Sequence, residues 1–223
     1  MTPGQTARRA LRGFGMKRAL LVGVLLMTVQ AASRGDELID RVLAVVAGEV
    51  ITLTDVTAVR ELGLASPEGV ADPVRALLDV LIDRELILAE VERYAPPEPD
   101  ADAIDRELAA VRARFPAQTT FDAALARSGI DQRHLRERLR KDLRMRAYLD
   151  QRFAVPPPSD DELARYYGAH VQAFSRNSQV VPFEAARADV AQAWTTDRRH
   201  GLIDEWVAGL RRRAVIIDLY TAR

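Results

Sequence analysis

Apolar residues recur at helical spacing over most of the chain, and Asp72–Tyr94 shows the pattern most clearly. Its Leu, Ile, Val and Ala residues fall three and four positions apart, so they share one face of an α-helix, and charged residues take the other. Asp72 can cap such a helix, and Pro73 suits its first turn because the missing N–H would be unpaired there anyway. Pro96 and Pro97 end it. The sequence therefore predicts that this helix forms the spine of the core.

Capping residues and the same spacing predict the other helices. In a capping box, a Ser or Thr and an acidic residue three positions later bond the first free N–H groups of a helix. Three boxes open predicted helices: Thr52 with Asp55, Thr119 with Asp122, and Ser159 with Glu162. Further helices are expected after an Asp cap near residue 100, after Asp131, and from Pro182, where the longest one begins.

Three segments have the β-branched content of strands. Leu38–Val46 and Glu49–Leu53 flank Ala47-Gly48, a tight link in which glycine can take a positive φ, and together they predict a hairpin. Ala214–Leu219 (AVIIDL) predicts a third strand, which needs a partner because a lone strand leaves its backbone groups unpaired. The predicted fold class is mostly α (α+β): a helical body with a small antiparallel sheet joining the N-terminal hairpin to the C-terminal strand.

The first 31 residues have the three parts of a cleaved secretory signal. Lys17-Arg18 supplies the positive charge, and the apolar run Ala19–Val29 is shorter than the roughly 20 residues that a membrane span needs. Small residues stand at the −3 and −1 positions of a cut after Ala31. We therefore expect a signal peptide at 1–31, export, and no stable membrane insertion, with Met16 as an alternative start.

Composition limits the possible partners and chemistry. The 32 basic and 32 acidic residues balance, but five basic and no acidic residues lie in the first 31, which leaves 27 against 32 in the remainder. A mildly acidic body does not favour a nucleic-acid partner. The chain has no cysteine, which excludes disulfides and thiol chemistry.

No catalytic or metal-binding motif stands out. The chain contains no P-loop and no G-x-S-x-G, and its three histidines are scattered without an H-E-x-x-H pattern, so no metal or cofactor is predicted. Asp160, Asp161 and Glu162 follow Ser159 in the first turn of a predicted helix, where they complement its dipole. The sequence thus predicts a protein without a catalytic site.

Three stretches resemble the SurA-type periplasmic chaperones in the same order. They are DRVLAVVAGEVITLTDV, ALLDVLIDRELILAEVERY and PFEAARADVAQAWTTDRRHGLIDEWVAGLRRRAVIIDL. The resemblance covers most of residues 36–219 and rests on pattern and order. It implies an ATP-independent periplasmic chaperone that holds unfolded outer-membrane protein chains, with no cofactor.

The isomerase domain that the family usually carries is missing from this pattern. One or two parvulin-type prolyl isomerase domains usually precede the closing helix, but here only Ser175–Val181 separates Phe174 from Pro182. A domain without metals or disulfides rarely folds below about 40 residues. The resemblance implies a chaperone body of 36–155 with 182–219, and at 156–181 a short helix and linker where a parvulin domain would be inserted.

Two other functions stay open: a degenerate prolyl isomerase, and a fixed adaptor subunit of an envelope assembly. If the isomerase domain is absent, Tyr166, Tyr167 and Phe174 lose a neighbour that would cover them. We therefore predict that these three residues line a client-binding cleft between the helical body and the closing helix. The alternative is that they fold back and fill the core beside Trp194 or Trp206.

Overall fold

The computed structural model describes residues 40–67, 69–176 and 179–222, so the predicted signal peptide at 1–31 lies outside the described residues. The strands are β1 (Val42–Val46), β2 (Glu49–Thr52), β3 (Ser175–Arg176), β4 (Gln179–Val180) and β5 (Ile216–Asp218). The helices are α1 (Leu53–Glu61), α2 (Pro73–Tyr94), α3 (Ala101–Arg112), α4 (Gln118–Ser128), α5 (Gln132–Arg152), α6 (Asp160–Ala169) and α7 (Phe183–Arg213). The fold is mostly helical with a small antiparallel sheet, which confirms the predicted class.

The sheet joins the first and last elements of the described chain. Its strand order is β2-β1-β5, and both neighbours run antiparallel to β1. Ala47 and Gly48 take φ values of 51° and 92°, as a two-residue hairpin turn of the type I′ kind requires. The predicted pairing of the C-terminal strand with the hairpin is confirmed. The first strand is shorter than predicted, because its pairing shifts between Val42 and Ala44 and no strand is described before Val42.

Helix α2 is the spine of the largest buried cluster, as predicted. Its leucines pack against the inner face of the sheet, where Ala44, Val46 and Ile51 are buried, and against Leu210 of α7. Asp72 caps the helix by accepting the N–H of Arg75 at 2.9 Å. The apolar stripe predicted from the sequence is therefore the face of the helix that is removed from water.

A second cluster lies among α1, α3, α4 and α5 around the buried Phe121 and Leu135. The predicted capping box of Thr119 with Asp122 is wrong. Helix α4 begins two residues earlier than this box requires, at Gln118 with Ala117 as the capping position, and the Thr120 hydroxyl accepts the N–H of Ala117 at 3.2 Å. Adjacent threonines have the same capping chemistry, so the helix start decides which one reaches a free N–H.

The chain between α5 and α7 forms a small satellite unit. It consists of α6, a 3₁₀ turn (Val171–Phe174) and the β3–β4 pair, and it packs on the first half of α7 through Leu163, Ala186 and Val190. The capping box of Ser159 with Glu162 is present as predicted. The polar residues SRNSQ at 175–179 predict a loop, but the structure corrects this expectation, because the stretch contains β3 and the start of β4.

An ion pair links β5 to the start of α2, and because of it the stability of the fold depends on pH. The Arg75 guanidinium bonds Asp218, and this bond holds the pKa of that carboxyl below its usual value. Because the folded-state pKa lies below the unfolded-state value of about 4, the ionised carboxylate stabilises the fold at every pH above about 4. This stabilisation is lost as the pH falls through the folded-state pKa. We expect Asp218→Asn to lower the melting temperature by about 1–3 °C at pH 7 and by less at pH 3. Thermal melts of both proteins at both pH values test this, and an equal difference at pH 3 would contradict it.

Candidate functional site

A groove of about 660 Å³ lies between α6, the segment that follows α5, and the middle of α7. Its walls combine apolar and aromatic side chains with two arginines. The lining residues are Val155, Pro156, Glu162, Arg165, Tyr166, Ala169, His170, Trp194, Arg198 and Leu202. The groove is open, and its volume lies in the range of ligand pockets, about 300–1,000 Å³.

Tyr166 is the predicted site residue that borders this groove. Its ring is half-buried and lies 4.2 Å, centroid to centroid, from the ring of His170. Its hydroxyl donates to the carboxylate of Asp197 on α7. The pKa of Tyr166 is raised to about 12, mainly because the phenol is partly buried and also because of this bond. The phenol therefore stays protonated near neutral pH. Tyr166 therefore offers a fixed aromatic wall to the groove.

Tyr167 and Phe174 lie in the same aromatic cluster as Tyr166 but do not line the groove. The Tyr167 ring stacks on Phe174 at 5.7 Å and contacts Phe183 at 5.5 Å. Its hydroxyl donates to the carbonyl of Val181 at 2.7 Å. Phe174 borders a smaller cavity of about 170 Å³ beside β3. These two rings hold the satellite unit on α7, and both are half-buried.

The structure thus brings the three predicted residues together, with different surroundings for each. Trp194 joins their cluster, whereas Trp206 lies elsewhere, 6.1 Å from Tyr148 and 5.3 Å from Phe153. Sequence reasoning missed the groove residues that are not aromatic. The sequence run Val155-Pro156-Pro157-Pro158, which follows α5, could have indicated them, because its first two residues form one wall of the groove.

Two further observations concern the described part of the chain alone. No group of three or more His, Cys, Asp or Glu side chains there is arranged to hold a metal ion. None of its helices combines the length and the apolar character needed to cross a membrane.

Comparison with known proteins gives a structural neighbour. No family model matches the chain, and no curated protein matches it in sequence. Among solved structures, the chain is similar to one from work on PEB4 and Cj1289, described as two structurally related SurA-like chaperones in Campylobacter jejuni. The TM-score is 0.51 and the identity 14%, over 81% of this chain and 100% of that chain.

The chain shares the fold of a SurA-like chaperone. The resemblance noted in the sequence agrees with this neighbour, and the match spans the whole of that chain. At so low an identity the likeness concerns the course of the backbone, so the roles of individual side chains have to be argued from their own contacts.

Proposed function

We propose that this protein is an ATP-independent periplasmic chaperone that holds unfolded segments of outer-membrane proteins and catalyses no reaction. The observation that carries the proposal is the fold shared with a SurA-like chaperone over that chain's whole length. The chaperone role is described for the Campylobacter jejuni proteins, and we extend it to this chain by inference.

The open groove beside α6 supports this proposal. A chaperone without ATP must release its clients by exchange, so it needs accessible apolar surface, where binding is reversible, and no deep, closed pocket. Surfaces of this kind mark binding sites, and aromatic rings provide large contact area for varied sequences. Tyr166 and Trp194 offer such rings in the groove. We propose that Tyr166, Tyr167 and Phe174 form part of the client-binding cleft, with Tyr167 and Phe174 supporting the wall that Tyr166 presents.

The domain organisation is proposed to follow the same family. Residues 36–155 and 182–219 would form the chaperone body, and residues 156–181 would stand where a parvulin domain is inserted. Arg176 of β3 pairs with Gln179 of β4, so these two residues lie side by side. Such a position accepts an inserted domain without stretching the rest of the fold.

A holding assay tests the proposed function. An outer-membrane β-barrel protein in urea is diluted into buffer with the mature protein, without ATP, and its aggregation is followed by light scattering. We expect suppression that grows with chaperone concentration. A pull-down from periplasm separates this function from that of an adaptor, because a chaperone retains many unfolded barrels. One stoichiometric partner, together with no suppression, would contradict the proposal.

We also expect no prolyl isomerase activity, because only 175–181 separates the 3₁₀ turn from Pro182. The measurement is a protease-coupled assay on a proline-containing peptide, with a parvulin of known activity as the positive control. The rate with this protein should equal the uncatalysed rate of isomerisation, which takes tens of seconds or longer at 25 °C. A rate that rises in proportion to protein concentration would contradict the prediction.

A further inference from the structure

Strand β2 is an edge of the sheet, and its pairing shows which of its backbone groups are free. The carbonyl of Leu43 accepts the N–H of Leu219 at 2.9 Å, and the N–H of Ala47 donates to the carbonyl of Val215 at 3.4 Å. These two partners stand directly on either side of β5. Val45 lies between Leu43 and Ala47 on β1, so its N–H and C=O also point towards β5. Val50 pairs with Val45 from the other side, and its own N–H and C=O therefore point away from β1. No backbone or side-chain group of the described residues outside the sheet bonds them.

The outer face of the same sheet is apolar. Val50, Val45 and Ile217 form one row across the three strands, and paired residues of neighbouring strands project to the same face. Val50 and Ile217 are about half exposed, at 52% and 51%. Val215 and Leu219 stand two positions either side of Ile217 and are exposed as well. A strand added beside β2 would extend this row by one apolar residue.

A trough runs along the free edge of β2, between this strand and helices α2 and α5. It consists of two cavities of about 240 Å³ each, which share Glu49, Glu85 and Lys141. The first cavity is bordered by Val50 on the strand side and by Arg138 on α5. We call these two cavities the β2 trough. An extended chain placed in the β2 trough would lie beside the unpaired backbone groups of Val50.

Arg138 gives the β2 trough a cation that lacks a close carboxylate. Its side chain is 17% exposed, and Asp142 lies 3.9 Å away, beyond hydrogen-bonding distance. Asp142 instead bonds Arg84 at 2.8 Å. The Nε of Arg138 is buried without an acceptor among the described residues. The pKa of Arg138 is lowered, mainly by burial and also by the neighbouring positive charge of Arg84. This is expected for a buried cation with too little negative charge close to it.

Three of the four carboxylates that line the first cavity are already engaged, and Glu49 of β2 is the one without a hydrogen-bonded partner among the described residues. Glu85 bonds Arg84 at 2.5 Å, Glu137 bonds Arg140 at 2.7 Å, and Asp55 accepts the N–H of Thr52 at 2.8 Å. Arg138 and Lys141 remain as cations of the trough without a hydrogen-bonded carboxylate among the described residues. An acidic side chain brought in by a ligand would therefore find partners here.

We propose that the β2 trough binds an extended client segment as an additional strand beside β2, and that it selects segments in which apolar and acidic residues alternate. The backbone of the segment bonds the free groups of Val50, and residues on one side continue the apolar row. Residues on the other side face the trough, where Arg138 and Lys141 receive their carboxylates. Adding a strand to an exposed edge is a general mode of peptide recognition. This inference rests on the proposed function, since the occupant is a client chain.

Short labelled peptides and fluorescence anisotropy test the proposal on the mature protein. A capped peptide of alternating Val and Glu should bind at least tenfold more tightly than one of alternating Val and Lys. Methylation of the backbone amides that face β2 should abolish binding, because it removes the donors of the added strand. Equal affinity for the two charge patterns, or unchanged binding after methylation, would overturn the proposal.

Two substitutions at Val50 provide a matched pair. Val50→Pro removes the free N–H and should weaken binding about tenfold, whereas Val50→Thr keeps it and should bind like the parent protein. Proline is tolerated on edge strands where the N–H is not part of the sheet, so the melting temperature should change little. If Val50→Pro nevertheless unfolds, Lys141→Glu decides the question, because it should weaken the Val-Glu peptide and favour the Val-Lys peptide. An unaltered preference in this variant overturns the proposal.

The holding assay distinguishes this inference from the proposed function. A protein that suppresses aggregation but binds no strand peptide would overturn the β2 site alone. Peptide binding without suppression of aggregation would overturn the chaperone function and leave a strand-binding site.

Discussion

Changing Ile216 to Asp is expected to unfold the protein body at temperatures where the parent chain is stable. Ile216 lies on β5, pairs with the buried Val46 and packs against the cluster around α2. A carboxylate at this position loses the apolar contacts of Ile216 and gains no cation partner in that cluster. We expect this change to lower the free energy of unfolding by about 3 kcal/mol or more. For a chain of this size the melting temperature should fall by about 8 °C or more.

Ile217→Asp is the matched control, because the next residue projects to the opposite face of the same strand. Ile217 is 51% exposed, so its substitution should leave the melting temperature within about 2 °C of the parent value. Removal of Ala214–Arg223 should act like Ile216→Asp, since it takes β5 away and leaves one side of β1 unpaired. Equal melting temperatures for the two Asp variants, or an unchanged melt after truncation, would refute the role of β5 as a closing strand.

The sequence predicted the spine and the closure of this fold for physical reasons that act locally. Helix α2 has the predicted bounds, because Asp72 caps it and Ala95, in the left-handed region, ends it before the two prolines. The pairing of β5 with the hairpin followed from counting strands, since each strand needs a partner. Both features depend on a few neighbouring residues and on the demand that backbone groups be paired.

The features that the sequence did not predict depend on distant packing. Strands β3 and β4 have two residues each and mostly polar side chains, so they show no alternation of apolar and polar residues from which a strand could be predicted. The groove exists because α6 packs on α7, and nothing near Tyr166 in the sequence places Trp194 opposite it. Likewise, the β2 trough is built from α2 and α5, which are far from β2 along the chain.

The aromatic cluster could be predicted only in part. Tyr166 and Tyr167 are consecutive on α6, and consecutive helical residues point about 100° apart. They therefore do not share one environment: Tyr166 borders the groove, whereas Tyr167 bonds Val181 and stacks on Phe174. That clients bind at these three residues stays a prediction.

Replacing Tyr166, Tyr167 and Phe174 together by Ser is expected to abolish most of the holding activity. The change removes the aromatic wall of the groove and the two rings that support it, and with them the apolar contact area offered to a client. We expect at least a fivefold higher chaperone concentration to be needed for half-suppression of aggregation. Their cluster is separate from the one around α2, so the melt of the body should shift by only a few degrees.

Single changes separate the two roles within this cluster. Tyr166→Ser should lose much of the holding activity with little change in melting, because that ring borders the groove. Tyr94→Ser is the control for the loss of an aromatic ring elsewhere, since Tyr94 is 58% exposed at the end of α2, and it should hold clients like the parent protein. If the triple variant melts far below the parent, the rings act as core and the cleft hypothesis is wrong. Full suppression by a stably folded triple variant would also exclude these residues from client binding.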